Sequence, residues 1–432
     1  MNSHRYRIAV TGLVTAVLYC VSVDAQPRHV YLTWQSDPST TMTVNVQTVD
    51  EAPLQVLYDT QSATSAPYRH SATGSAVRLE RLPTPRVVHT VELSGLEPAT
   101  TYYFVAGDSK TGFSAQRAFV TAPADDTPIR FVVGGDMGVS ERVHKLELVA
   151  ALTEPLFCVL GGDLAYVDGD PQRWETWDRW LDSWQEHMVT PLGRTIPIVA
   201  AIGNHEVRGG YNGTEQDALF YSRYFAQEHG ESYFTRTFGE NMALILLDSG
   251  HLSAHGGDQA NWLRSQLALH QDRPHVFAAY HVPMFPVFRS YNGKYSRQGR
   301  EHWLGLFDRY HLSVGFEHHD HALKRTKPIV AGRIDEAGTV YVGDGCFGRR
   351  PRFVRTPRRV GPSRRWYLER LERSAHFWQV DVDAQRVVLT AIDEDGEVVD
   401  RFERPSRRID ASRAATEADA VPLTTLATPP AQ

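Results

Sequence analysis

Two strand-like runs flank one helical run in residues 129–166, which read IRFVVGGDMGVSERVHKLELVAALTEPLFCVLGGDLAY. The apolar runs 131–133 and 156–160 have the composition of buried strands, and each ends in Gly-Gly-Asp. The residues between them have apolar side chains at helical spacing. Alternation of strand and helix predicts a parallel-rich α/β sheet, whose strand ends present polar residues where such sheets bind ligands.

The same pattern of an apolar strand followed by polar residues occurs three more times. A third run ends at Asn204 and His205, a fourth leads into His281, and a fifth leads toward His319. We therefore expect five strand ends to deliver side chains to one edge of the domain. The seven candidate metal ligands are Asp136, Asp163, Tyr166, Asn204, His281, His319 and His321. Carboxylate, phenol, amide and imidazole donors suit a pair of hard or borderline ions and predict a two-metal hydrolytic site.

The region before residue 123 has a different pattern. Short alternating runs within residues 27–122, separated by Pro, Gly, Asp and Ser, predict antiparallel strands packed as an all-β sandwich. Residues 91–104 resemble the turn and following strand of fibronectin type III-like domains. Residues 27–122 contain no cluster of acids, His or Cys that could catalyse a reaction, so we interpret this region as a supporting module. The Pro- and Asp-rich composition of residues 123–128 predicts a linker.

The two ends of the chain predict segments outside the folded domains. Residues 1–25 have a basic start, an apolar run and a small-residue site before Gln26, which is typical of a secretory signal peptide. We therefore expect a secreted or periplasmic protein. Residues 407–432 are rich in Ala, Thr and Pro and predict a disordered tail. With Cys20 in the signal, only Cys158 and Cys346 remain, so disulfides are not expected to define the fold.

The charge of the chain is mild. Its 432 residues carry a formal net charge of −6, from 45 basic and 51 acidic side chains, which argues for neither a nucleic acid nor a membrane as the main partner. The segment 349–365 is unusual because it holds eight arginines and no acid. A solvated basic loop is the simpler interpretation. The alternative is an anion funnel for polyphosphorylated or nucleotide substrates.

The five blocks resemble the purple acid phosphatases of the metallophosphoesterase superfamily. The family's pattern GDxG, GDxxY, GNH[ED], VxxH and GHxH is matched in order by GDMG, GDLAY, GNHE, AAYH and HHDH. The resemblance implies a catalytic domain over residues 129–406, with β-sheets flanked by helices in a four-layer α/β/β/α arrangement. It implies that Asp136, Tyr166 and His321 bind the first ion, that Asn204, His281 and His319 bind the second, and that Asp163 bridges both.

The implied ions are Fe(III) with Fe(II), Zn(II) or Mn(II). Two Asp and one ionised Tyr supply three negative charges, so Fe(III), a divalent ion and one hydroxide leave about one positive charge to attract a phosphate. The expected activity is release of phosphate from small organic phosphomonoesters, with a metal-bound hydroxide as nucleophile and an acidic to near-neutral optimum. The alternatives are a phosphodiesterase or nucleotide pyrophosphatase on the same site, and a non-catalytic extracellular binding protein.

Four residues around the ligands need separate interpretation. His205 is placed to contact the phosphate or protonate the leaving oxygen, and we expect Glu206 to orient it. Arg300 aligns with an arginine of the family and is a candidate to support the site. His318 replaces the glycine of the GHxH block. We favour a surface or packing role for His318, and a substrate contact or substitute ligand are the alternatives.

Overall fold

The computed structural model describes residues 27–49, 51–64, 67–227, 231–343, 345–353 and 365–406. The predicted signal peptide, the predicted tail and most of the arginine-rich segment lie outside these residues. Among the helices of the described part, none combines the length and apolar character that a membrane crossing requires.

The first part of the chain is an antiparallel β-sandwich, as the alternating pattern predicts. Its strands are β1 Arg28–Thr33, β2 Thr41–Thr48, β3 Gln55–Asp59, β4 His70–Thr73, β5 Ser75–Arg78, β6 Val87–Ser94, β7 Thr101–Asp108, β8 Gly112–Phe113 and β9 Arg117–Val120. One sheet has the order β1-β2-β6-β5, and the other has the order β4-β3-β7-β8 with β9 also paired to β7. Apolar side chains from both inner faces, among them Val44, Val56 and Phe104, fill the space between the sheets.

The second part alternates strands and helices. Its first elements are β10 Ile129–Gly134, α1 Glu141–Leu152, β11 Cys158–Leu160, α2 Trp174–His187, β12 Ile198–Ala200, α3 Leu219–Tyr224, β13 Phe234–Phe238, β14 Met242–Leu246, α4 Asp258–Leu269, β15 His275–Tyr280, α5 Lys294–Gly299 and α6 Gly305–Arg309. The chain continues with β16 Val314–Glu317, β17 Leu323–Thr326, β18 Ile329–Val330, β19 Arg333–Ile334, β20 Val340–Gly343, β21 Leu368–Glu372, β22 His376–Val382, β23 Arg386–Asp393 and β24 Val398–Pro405.

These elements form two large sheets packed face to face. The first has the order β12-β11-β10-β22-β23-β24 and the second β13-β14-β15-β16-β20-β17-β21. Aromatic rings join them: Phe131 of β10 lies 5.9 Å from Phe277 of β15 and 6.2 Å from Phe316 of β16, centroid to centroid. Helices α1 and α2 pack on the outer face of the first sheet, and α4 and α6 on the outer face of the second. The four-layer α/β/β/α architecture is therefore confirmed.

The parallel strands determine where polar side chains meet. β10, β11 and β12 are parallel neighbours in the first sheet. β15 and β16 are parallel neighbours in the second. Because carboxyl ends of parallel strands share one edge of their sheet, the loops after these five strands lie at the same end of the domain.

The sandwich packs against the outside of α2. The Tyr31 hydroxyl donates to the backbone oxygen of Tyr224 at 2.8 Å, and His29 Nε2 lies 2.9 Å from Asp182 Oδ1 on α2. The fully buried indoles of Trp177, Trp180 and Trp184 on α2 belong to the core beneath the first sheet, and Tyr31 of the sandwich belongs to the same cluster. Helix α2 thus joins the supporting module to the sheet that carries three of the five strand ends.

Candidate metal centre

All seven predicted ligands follow the ends of the five strands. Asp136 follows β10, Asp163 and Tyr166 follow β11, and Asn204 follows β12. His281 is the residue directly after β15, while His319 and His321 follow β16. The strand-end pattern read from the sequence therefore corresponds to one edge of the folded domain.

The backbone at most of these ligands is left-handed. The φ angles are 55° at Asp136, 56° at Asp163, 58° at Tyr166, 72° at His319 and 53° at His321. Few non-glycine residues adopt positive φ, and those that do occur mainly in sharp turns. Each turn points a side chain back toward the strand ends, which is how loops from two sheets converge on one centre.

Two glycines permit this close approach. Gly162 has φ +89°, and a Cβ atom there would lie 2.5 Å from the backbone nitrogen of Gly203. Gly345 has φ +54°, and its Cβ would lie 2.8 Å from Asp136 Oδ2. Both positions require glycine because no side chain fits between the loops that carry the ligands.

The first group of donors consists of Asp136, Tyr166 and His321. The Tyr166 hydroxyl lies 2.9 Å from Asp136 Oδ1 and 3.1 Å from His321 Nε2, and His321 Nε2 lies 2.8 Å from Asp136 Oδ1. Asp136 is fully buried. Three donor atoms of different type therefore meet at one point, as ligands around an ion do.

The second group is centred on His281. Its Nε2 lies 2.9 Å from His319 Nδ1, 3.2 Å from Asn204 Oδ1 and 3.1 Å from Asp163 Oδ2. Donor atoms of Asp163, His281 and His319 all fall within 4.8 Å of one another. His281 Nδ1 donates to the Gly161 carbonyl at 2.9 Å, which fixes the ring with Nε2 toward the other donors.

The chemistry of this donor set fits metal ions. Within each of the two groups, neighbouring donor atoms lie between 2.8 Å and 3.2 Å from one another, an arrangement that a bound cation would stabilise. Burial, and next the carboxylates of Asp136 and Asp163, raise the pKa of Tyr166 well above its ordinary value. Burial disfavours a charged His281, but the Asp163 carboxylate outweighs it and raises the pKa of His281 to about 9. The site is thus rich in negative charge, and a nearby cation is what would ionise the phenol.

The hydrogen bonds of Glu206 in the described part of the chain are with backbone nitrogens. Its carboxylate accepts hydrogen bonds from the backbone nitrogens of Asp163 at 2.6 Å, Leu164 at 2.8 Å and Gly203 at 2.9 Å. Burial and then the Asp163 carboxylate raise the pKa of Glu206 to about 7. Glu206 therefore holds the loop after β11 against the loop after β12 and turns away from the open side of the site.

The partner of His205 is Asp168, which the sequence reasoning missed. His205 Nδ1 donates to Asp168 Oδ1, and the other oxygen of Asp168 accepts from Arg173 Nη1 at 2.8 Å. The His205 side chain is 32% exposed, and its Nε2 lies 3.8 Å from Asp163 Oδ2. The only sequence signal for Asp168 was its place two residues after Tyr166 in the same loop.

Two arginines contact the loop after β15 or lie on it. Arg300 is 7% exposed, stacks 3.6 Å from the Tyr291 ring and donates to the backbone oxygens of Met284 and Tyr291. These contacts hold the loop after β15, which begins with the candidate ligand His281. Arg289, which was not predicted, lies on that loop with Nη2 3.4 Å from His319 Nδ1.

His318 has a packing position in the interior. It is 2% exposed, and its Nδ1 lies 3.0 Å from the Tyr280 backbone oxygen. A Cβ atom at Gly161 would lie 2.0 Å from the imidazole ring, and one at Gly135 would lie 2.7 Å from it. The ring therefore fills the space over two strand-end glycines. A surface position for His318 is wrong, and the packing alternative agrees with its burial.

Family models match both parts of the chain. Residues 27–121 match the model described as the N-terminal domain of purple acid phosphatase, and residues 129–322 match the calcineurin-like phosphoesterase model. Probable purple acid phosphatase 20 of Arabidopsis thaliana is 26% identical over 378 residues, covering 78% of this chain and 84% of that protein. Purple acid phosphatase 13 of the same plant is 26% identical over 312 residues, covering 61% of this chain and 55% of that protein.

Solved structures share the fold. The purple acid phosphatase PPD1 from yellow lupin (Lupinus luteus) seeds superposes with a TM-score of 0.76 at 18% identity, covering 94% of this chain and 78% of that one. The structure of PhoD gives a TM-score of 0.68 at 12% identity, covering 89% of this chain and 91% of that one. Sandwich and catalytic domain thus occur together in a known architecture.

Proposed function

We propose that this chain, as a member of the purple acid phosphatases of the metallophosphoesterase superfamily, releases phosphate from organic phosphomonoesters. The reaction would take place at a centre of two metal ions. The observation that carries the proposal is the convergence of the seven donors from five strand ends into two adjoining groups. Such a pair of sites is the arrangement that two-metal phosphoester hydrolysis needs.

The donor sets divide between two ions. Asp136, Tyr166 and His321 would hold Fe(III), because two anionic oxygens suit a trivalent ion. Asn204, His281 and His319 would hold Fe(II), Zn(II) or Mn(II), and Asp163 would be shared. Ions bound by these residues would supply Lewis-acid polarisation of phosphoryl oxygens and a lowered pKa of bound water.

The protein's own residues position the substrate and move a proton. His205 is the candidate to bind the phosphate or protonate the leaving oxygen, because Asp168 fixes its Nδ1 and leaves Nε2 on the side of Asp163. Arg289 adds a positive charge next to His319, where it would attract a phosphate oxygen. Glu206 keeps the two ligand loops together through backbone hydrogen bonds.

Turnover of a monoester and a diester tests the proposal. Protein loaded with iron and a divalent ion should hydrolyse 4-nitrophenyl phosphate at least about tenfold faster than bis(4-nitrophenyl) phosphate, with a maximum at acidic to near-neutral pH. A preference for the diester would favour the phosphodiesterase alternative. Two bound ions without turnover of either ester, or an optimum only above about pH 9, would contradict the proposal.

Optical absorption tests the first ion separately. A tyrosinate-to-Fe(III) band in the visible region should be present in the native protein and absent in Tyr166→Phe. Tyr211→Phe is a matched control, since this half-buried tyrosine lies near the centre but is not among the donors. A band that survives in Tyr166→Phe would remove the assignment of Tyr166.

We also propose that the protein is exported, on the strength of the signal-like pattern in residues 1–25. Mass spectrometry of the protein made in a secreting host should then find Gln26 as the first residue. A first residue within 1–25 would contradict this proposal.

A further inference from the structure

A pocket of about 320 Å³ opens beside the ligand His321. Its walls are the loop after β10, the start of α1 and the loop after β20, and it includes the side chains of Arg142, Arg349 and Arg350. The volume lies at the lower end of the range of about 300 to 1,000 Å³ that small-molecule sites occupy. No acidic side chain is among the described residues that line it.

The three arginines differ in how their charge is balanced. Arg142 Nε pairs with Glu394 at 2.8 Å, at a contact where both side chains are about one third exposed. Arg349 and Arg350 are exposed and form no ion pair with a carboxylate in the part of the chain that the structure describes. The pocket therefore carries positive charge that its own residues do not neutralise, although the whole chain is acidic.

Arg349 is held in a fixed relation to the metal ligands. Its guanidinium carbon lies 3.9 Å from the centre of the Tyr166 ring, and its backbone nitrogen donates to the Asp136 carbonyl at 3.0 Å. Further along the loop, the backbone nitrogen of Arg352 donates to the His321 carbonyl at 2.8 Å. A guanidinium that stacks on a ring by its face keeps its N–H edge available for an oxyanion.

We infer that this arginine pocket, formed by Arg142, Arg349 and Arg350, binds a second phosphate group of the substrate while the first phosphate is cleaved at the adjoining centre. Guanidinium groups bind phosphate through paired, charge-assisted hydrogen bonds, which a neutral leaving group cannot form. The preferred substrates are then small phosphomonoesters with another phosphate on the leaving group. The inference rests on the proposed function, because the pocket selects among substrates of that same centre.

Only part of the arginine-rich segment 349–365 contributes residues to the pocket. Arg349 and Arg350 belong to it, whereas Arg358 and Arg359 lie outside the described residues. Arg142, at the start of α1, comes from a different part of the sequence. The pocket has the volume of a small-molecule site, so the observations favour a compact bisphosphate over a nucleic acid chain.

A matched pair of substrates tests the pocket. Propane-1,3-diol bisphosphate and 3-hydroxypropyl phosphate differ in one phosphate, and both ends of the bisphosphate are equivalent. In the metal-loaded full chain, kcat/KM should favour the bisphosphate by at least about tenfold, because each charge-assisted contact contributes about that factor. In Arg350→Glu this ratio should fall by at least about tenfold, mainly through KM.

The control is Arg401→Glu, which makes the same charge change at an exposed arginine of β24 and should leave the ratio within about twofold. An unchanged ratio in Arg350→Glu, or an equal fall in Arg401→Glu, would overturn the inference. Loss of all turnover in the native protein would instead contradict the proposed function. Calorimetric titration with inorganic pyrophosphate measures binding without turnover. An affinity weakened at least about tenfold by Arg350→Glu supports the inference, and an equal affinity overturns it.

Discussion

Asp168 accepts a hydrogen bond from His205 Nδ1, while His205 Nε2 lies 3.8 Å from a carboxylate oxygen of Asp163. One nitrogen of the imidazole is thus held by an acid outside the candidate metal donors, and the other lies next to Asp163, the candidate bridging ligand. The arrangement fixes both the tautomer and the ring orientation of His205.

Asp168→Asn should therefore slow substrates whose leaving group needs a proton. We expect kcat for glycerol 2-phosphate to fall about 10- to 100-fold, and kcat for 4-nitrophenyl phosphate to fall much less, because nitrophenolate leaves without protonation. Asp170→Asn is the control, since the Asp170 side chain caps the next turn through the backbone nitrogen of Gln172. Equal losses on the two substrates would show that Asp168 does not act through proton transfer.

Glu206→Gln should lower stability through the backbone of the ligand loops. The variant keeps one acceptor oxygen where the carboxylate receives three backbone N–H groups, and Glu206 is 2% exposed. We expect the free energy of unfolding in urea to fall by about 1–3 kcal/mol. The exposed Glu240→Gln should change it by less than about 0.5 kcal/mol. Unchanged stability together with lost activity would assign Glu206 to the chemistry instead.

His318 and Gly161 should be energetically coupled. Gly161→Ala places a methyl group against the imidazole ring, so it should destabilise the native protein by about 1–3 kcal/mol. In a His318→Gly background the same change should cost far less, which gives a coupling energy of about 1–3 kcal/mol in a double-mutant cycle. Gly305→Ala, at a helical glycine with open space around it, should be neutral or slightly stabilising. Additive effects of Gly161 and His318 would contradict the packing role.

Lys324 should be needed to compensate the buried charge of Glu317. Its Nζ lies 2.5 Å from Glu317 Oε2 and donates to the Phe285 carbonyl at 2.6 Å, and both charged side chains are almost fully buried. Lys324→Met should cost about 3–5 kcal/mol in thermal or chemical unfolding, because it leaves a carboxylate buried without its partner.

The double variant Glu317→Gln, Lys324→Met should recover part of that loss, since no uncompensated charge remains. Lys327→Met, at a partly exposed lysine just after β17, is the control and should have a small effect. A double variant less stable than Lys324→Met alone would contradict this account.

The sequence was sufficient to predict the sandwich, the four-layer domain and the strand ends that carry the candidate ligands. An apolar run followed by Gly-Gly-Asp or Gly-Asn-His predicts both a buried strand and the sharp turn after it. The neighbours of the ligands were harder to predict. Glu206 follows His205 directly, but both lie in a 3₁₀ turn, where successive side chains point about 120° apart. His205 consequently faces the open site, and Glu206 faces the backbone of the loop after β11.

Contacts between distant loops could not be read from local patterns. Arg289 and Arg142 occur in segments without a recognisable motif, and only the packing of the loops brings them beside His319 and His321. The same holds for His318, whose burial depends on the two glycines it covers. Each of these positions is determined by sheet pairing over long sequence separations, for which local periodicity contains no information.

Five of the seven candidate ligands have a left-handed backbone, so residues proposed to bind metal also lower the stability of the fold. A non-glycine residue in that conformation costs about 1 kcal/mol or more relative to glycine, so each of these five candidate ligands lies at a position where the backbone would favour glycine. Selection for thermal stability alone, without ions, would therefore replace these ligands first. Higher thermal stability at these positions would therefore come at the expense of the candidate metal centre. Stabilising substitutions should be sought at positions away from the strand ends.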